Sequence, residues 1–131
     1  MKIVRAADTE IVPASHEKPE SPGVFKRVIL QMTDVIDGRI KMINWALLPT
    51  GKAFQAHFHE DMQEIFIVIK GAARILVDNE QAEIHAGDTV VVPVGSIHSM
   101  ENVGQNDVEY IVVGVSKGTG GRTIVIEQAH Q

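Results

Sequence analysis

From Val24 onward the chain is a succession of short runs rich in Val and Ile, broken every few residues by Gly, Asn, Asp or Pro. AARILVD and EQAEIHA meet near Asp78-Asn79 and are followed by DTVVVPV, SIHSMENV, DVEYIVVGVS and RTIVIE. None of these runs keeps a helical period, and each is short enough to be a strand closed by turn residues. That pattern restricts the fold to an all-β sandwich or barrel. With 131 residues the chain is one domain by size and can bury a core without covalent staples. It contains no cysteine, which removes disulfides and every Cys-based zinc, haem or iron-sulfur site.

The N-terminal segment is different. Residues 13–23, PASHEKPESPG, hold three of the five prolines with polar residues between them, so residues 1–23 are expected to form an irregular arm, with His16 simply exposed. Asp37-Gly38 lies between two strand-like runs and predicts a two-residue hairpin with Ile36 opposite Arg39. In that register one face carries Leu30, Met32, Ile43, Trp45 and Leu47, with Asp34 facing Lys41; the other carries Gln31, Thr33, Met42 and Asn44. The first face suits a core or a subunit interface, and its large apolar residues predict a homodimer. The second suits either solvent or a pocket wall.

Histidine placement carries the chemistry. His57 and His59 lie two apart, so on a strand both imidazoles leave the same face. Glu64 opens the next apolar run after a short interval, and His98 sits on a separate run, SIHSMEN. Three imidazoles and one carboxylate suit a borderline first-row metal better than calcium or magnesium, which prefer oxygen shells. Gln55 shares strand parity with the two histidines, Phe66 with Glu64 and Met100 with His98, so these three are expected to line the pocket. Gly118, Gly120 and Gly121 precede no helix, which argues for a turn rather than a phosphate loop.

Composition narrows the partners. Twelve Lys and Arg against seventeen Asp and Glu give a net charge of -5, with no basic run to follow a phosphate backbone, so nucleic-acid binding is not expected. The apolar runs are too short for a membrane span or a signal segment, which predicts a soluble, cytoplasmic protein. Few Lys or Arg are placed to clamp a phosphate; Lys52 and Lys70 flank the histidine segment near its turns.

Two spacings complete the reading: Gly51, His57, His59, Glu64 and Gly71, then, fifteen residues on, Gly87, Pro93, Gly95, His98 and Asn102. Together they resemble the two signature motifs of the single-domain cupins, whose fold is a double-stranded β-helix, or jelly-roll barrel. The resemblance covers Gly51 to Asn102 and implies a cupin barrel over residues 24–127, followed by a polar tail at 128–131. It implies that His57, His59, Glu64 and His98 hold one divalent first-row metal per chain (Mn, Fe, Ni, Co or Zn), with positions left for a small-molecule substrate. The function it implies is a metal-dependent enzyme on a small chelating substrate, a dioxygenase or another oxidoreductase. The alternatives are a sugar or sugar-phosphate isomerase and a non-catalytic small-ligand-binding protein.

Overall fold

A computed structural model describes residues 1–127; the tail expected at 128–131, His130 included, lies outside the described residues. The strands are β1 (Val12–Pro13), β2 (Phe25–Gln31), β3 (Ile40–Leu48), β4 (His57–His59), β5 (Met62–Lys70) and β6 (Ala72–Val77), then β7 (Glu80–His85), β8 (Thr89–Val92), β9 (His98–Glu101), β10 (Val108–Ser116) and β11 (Thr123–Val125). They form a six-stranded sheet, β1-β2-β3-β10-β5-β8, and a five-stranded sheet, β11-β4-β9-β6-β7. All pairings are antiparallel. The fold is therefore all-β, as the alternation of Val and Ile with turn residues implies. No helix among the described residues is long and apolar enough to cross a membrane.

Period-two burial shows why these segments are strands. Along β10, Val108, Tyr110 and Val112 are buried while Ile111 and Val113 point to the outer face. The inward side chains of both sheets, with Leu48, Val68, Ile75, Val92 and Met100 among them, make one core.

The β2–β3 register departs from expectation. Phe25 pairs with Leu47, Arg27 with Trp45 and Leu30 with Ile43, so the strands are offset from an Ile36–Arg39 hairpin, and Asp34 does not face Lys41. The cause is local. Asp34 Oδ2 accepts the Gln31 N–H at 2.8 Å, and this side-chain bond winds Met32–Asp34 into a 3-10 turn that ends β2 early. Met32 leaves the strand face and is exposed. Of the two expected faces, the one with Met42 and Asn44 turns inward as a cavity wall, while Ile43, Trp45 and Leu47 face outward.

The arm is less irregular than its prolines suggest: Val12 and Pro13 pair with Lys26 and Phe25 as an edge strand, the one sheet position where proline costs little. The Gly-rich turn before β11 is held by Asp61, whose carboxylate accepts from Ser116 Oγ (2.6 Å), the Thr119 N–H (2.8 Å) and Thr119 Oγ1 (2.9 Å).

Asn102 shows what one buried amide contributes. It is 1% exposed; its Nδ2 donates to the carbonyls of Leu48 (3.0 Å) and Asn106 (2.8 Å), and its Oδ1 accepts the Gly104 N–H at 3.0 Å. Asn102→Ala strands all three backbone groups, and the expected loss is roughly 2–4 kcal/mol. Urea denaturation checks this, and a loss below about 0.5 kcal/mol, the range of an ordinary surface substitution, would contradict it.

Candidate metal centre

Both sheets contribute to the cluster. His57 and His59 lie on β4 with Phe58 turned away between them, and His57 is the cross-strand partner of His98 on β9. Glu64 comes from β5 in the opposite sheet. One potential donor atom from each of the four lies within 4.8 Å of all the others, and all four residues are buried. They form a potential metal site.

Hydrogen bonds aim the rings. His57 Nδ1–H donates to the Gln55 carbonyl (2.6 Å) and His98 Nδ1–H to the Ser96 carbonyl (3.0 Å), while His59 Nδ1 bonds the Thr123 hydroxyl (2.7 Å). In the neutral rings of His57 and His98 these bonds leave the Nε2 lone pair free to bind. Glu64 Oε1 lies 2.7 Å from His59 Nε2 and 3.0 Å from His98 Nε2. An oxygen and ring nitrogens that close need a hydrogen or a cation between them. Protons on the rings satisfy this piecemeal, and one cation satisfies all four groups together. The donor set thus fits a metal by its own geometry.

Electrostatics agree with a neutral His57. Burial first, then the neighbouring His16 and His98, push its pKa down to about 3 from the ordinary 6.5. For Glu64, burial acts upward, but the hydrogen bonds from His59 and His98 outweigh it and hold the carboxyl well below the usual range. Both groups titrate lower in the folded chain than in the unfolded one, so each adds stability at neutral pH that is lost on acidification. The metal-free protein should therefore lose melting temperature as pH falls from about 6.5 toward 3, with Glu64 adding to the loss below its ordinary 4.5. Circular dichroism melts across that range check this; a flat profile would contradict a neutral, buried His57.

His57, His59 and Glu64 open onto a cavity of about 440 Å³, and His98 packs behind them. Phe66 lines this cavity, as its parity with Glu64 implies. Gln55 and Met100 do not; both line a separate cavity. Gln55 precedes the first residue of β4, so strand parity does not extend to it, and its carbonyl serves His57 instead. Met100 does share the inward face with His98, but it is 1% exposed within the core.

Five further lining residues lie outside the three singled out for the pocket. Tyr110 packs edge-on against Phe66 with ring centroids 5.3 Å apart, and burial pushes its hydroxyl pKa far up, so it stays a neutral phenol. Asn44 is buried with no partner for its Oδ1. Lys26 and Lys41 also line the cavity, so its wall is not free of cations as expected. His16, expected to be merely exposed, lines it too and stacks on His57. Only Asn44 left a trace in the sequence, through its place on the more polar face of its strand; the others depend on how the arm and β2 fold over the cavity.

Comparison with known proteins adds the last observations. The Cupin domain family model matches residues 44–114. The chain is 34% identical over 104 residues to the uncharacterized protein MJ1618 of Methanocaldococcus jannaschii, covering 79% of each. It is 33% identical over 66 residues to the oxalate-binding protein of Thermotoga maritima, covering 50% of this chain and 54% of that one. Among solved structures, a predicted oxalate decarboxylase of Thermotoga maritima superimposes with a TM-score of 0.78 at 24% identity, covering 88% of this chain and 99% of that one. The polyketide cyclase RemF of Streptomyces resistomycificus also gives 0.78, at 17% identity over 98% of this chain and 87% of the other.

Proposed function

The chain belongs to the cupin domain family, and from that membership we propose that it is a metal-dependent enzyme acting on a small carboxylate-bearing substrate that chelates the metal. The observation that carries this reading is the set of four buried donors on the wall of a cavity of about 440 Å³. His57, His59, Glu64 and His98 would hold one divalent first-row ion, since three imidazoles and a single carboxylate match Mn, Fe, Co, Ni or Zn rather than Ca or Mg. When bound, such an ion supplies Lewis acidity toward oxygen ligands and, for iron or manganese, one-electron chemistry.

The remaining work falls to the chain's own residues. Phe54, Phe66 and Tyr110 keep water from the inner cavity, while Lys26 and Lys41 favour an anionic substrate. Asn44 offers an amide with hydrogen-bonding capacity to spare. A dioxygenase or another oxidoreductase is the reaction class put forward first, with a sugar or sugar-phosphate isomerase as the alternative. A second, non-catalytic reading has one specific support, the likeness to the oxalate-binding protein of Thermotoga maritima.

The test is to load the protein with iron, manganese, nickel or zinc and follow oxygen uptake and product formation with oxalate, small hydroxy acids and diketones. Turnover of a carboxylate supports the proposal. Turnover confined to sugar phosphates would overturn the substrate class, and tight binding without turnover in every metal form would make the protein a binding module.

We also propose that the protein is a homodimer through the outer face of the six-stranded sheet. Ile67 is exposed there, and half-buried Ile43, Trp45, Leu47, Ile111 and Val113 continue the same apolar face on the neighbouring strands. Light scattering at micromolar concentration should give twice the chain mass, and Ile67→Arg should halve it; a monomeric wild type would contradict the proposal.

A further inference from the structure

The arm brings to the cavity an imidazole that the four-residue cluster does not use. His16 stacks on His57 with ring centroids 4.1 Å apart and planes 24° apart, and its Nδ1 lies 2.9 Å from Glu17 Oε2. Glu17 is itself buried at 7% exposure and anchored by the main chain: Oε1 accepts the Gly23 N–H at 2.7 Å and Oε2 the Gln55 N–H at 3.0 Å. The His16 ring is thus fixed at its edge by a carboxylate and on its face by a residue of the metal cluster. Because a carboxylate only accepts, Nδ1 carries the hydrogen. Nε2 has no hydrogen-bond partner among the described residues and is not a buried unpaired atom, and the ring lines the cavity.

We propose that His16 is a substrate-binding residue whose Nε2 hydrogen-bonds a hydroxyl next to the chelating carboxylate, so that the site prefers small hydroxy acids to the same acids without the hydroxyl. A hydroxyl both donates and accepts, so the bond forms whichever protonation state the ring holds. Lys26, hydrogen-bonded through Nζ to Ser15 Oγ at 2.7 Å, places a positive charge on the same side of the cavity. This assignment rests on the metal-centre reading given above and deepens it.

Titration calorimetry with hydroxymalonate and malonate tests it on the metal-loaded wild type and on His16→Phe and His16→Leu, with metal content measured in each. His16→Phe keeps a ring to stack on His57, and His16→Leu checks the result without one. The wild type should bind hydroxymalonate about tenfold more tightly than malonate. Both variants should keep their metal and their malonate affinity within about twofold while losing most of that preference. The assignment is overturned if the preference is absent from the wild type or persists in the variants. It is also overturned if the variants lose metal or weaken both acids equally, since His16 would then only brace His57. Failure of both acids to bind the loaded wild type would remove the chelation reading and this assignment with it, whereas intact malonate binding without any dependence on His16 removes this assignment alone.

Discussion

His98→Ala is expected to lower metal affinity by at least about 100-fold, beyond the range produced by losing an outer partner of a ligand, while the far-ultraviolet spectrum stays that of a β protein. His98 is fully buried, its Nδ1 is committed to the Ser96 carbonyl, and its Nε2 sits 3.0 Å from Glu64 Oε1. Phe54 and Phe66 flank the ring at centroid distances of 5.9 and 6.0 Å, so on those sides no donor atom stands ready to replace it. The strand does not depend on the imidazole: β9 is held by backbone pairing to β6 and β4. His59→Ala should behave alike, since it removes both the bond to Glu64 and the tie to Thr123 on β11. Elemental analysis of the purified variants checks both, and stoichiometric metal in either one would refute its assignment as a ligand.

The second large effect lies outside the cluster. Gly23→Ala should destabilise the protein by about 3 kcal/mol or more, the upper end for overpacking, because a Cβ at this position runs into the Ala53 carbonyl oxygen and comes within 2.9 Å of Glu17 Oε1. A flexible side chain could yield, but a backbone carbonyl moves only with its segment, and this one leads into β4. Relief therefore means lifting the arm, which costs Glu17 its bonds to Gly23 and Gln55 and uncovers Val24, 1% exposed in the native fold. Urea denaturation gives the loss, and limited proteolysis should show new cleavage within residues 13–23. An alanine variant as stable and as protease-resistant as the wild type would contradict the packing described for the arm.

The four-residue cluster was legible because its signals are local. Two-residue spacing places His57 and His59 on one face of β4 wherever that strand lies, and Glu64 follows within one turn. His98 was reached through motif spacing; the structure adds the reason it arrives there, direct pairing with His57. What was not legible depends on competition or on distance. The Asp37-Gly38 turn signal lost to the Asp34 carboxylate, which captures the Gln31 N–H and shortens β2. Parity failed for Gln55 because β4 begins only at His57, and for Met100 because sharing a face with His98 does not mean sharing its depth. His16 was unreadable because its environment is assembled from residues far along the chain: Glu17 is held by the Gln55 N–H and His57 covers the ring.

The central claim is that the buried cluster of His57, His59, Glu64 and His98 exists to hold a transition metal. Elemental analysis of protein purified without chelators and without a metal-affinity step tests this most directly. The expected result is close to one equivalent of Mn, Fe, Co, Ni or Zn per chain, released on acidification as the imidazoles protonate. Protein that emerges metal-free and takes up none of these ions at neutral pH would contradict it.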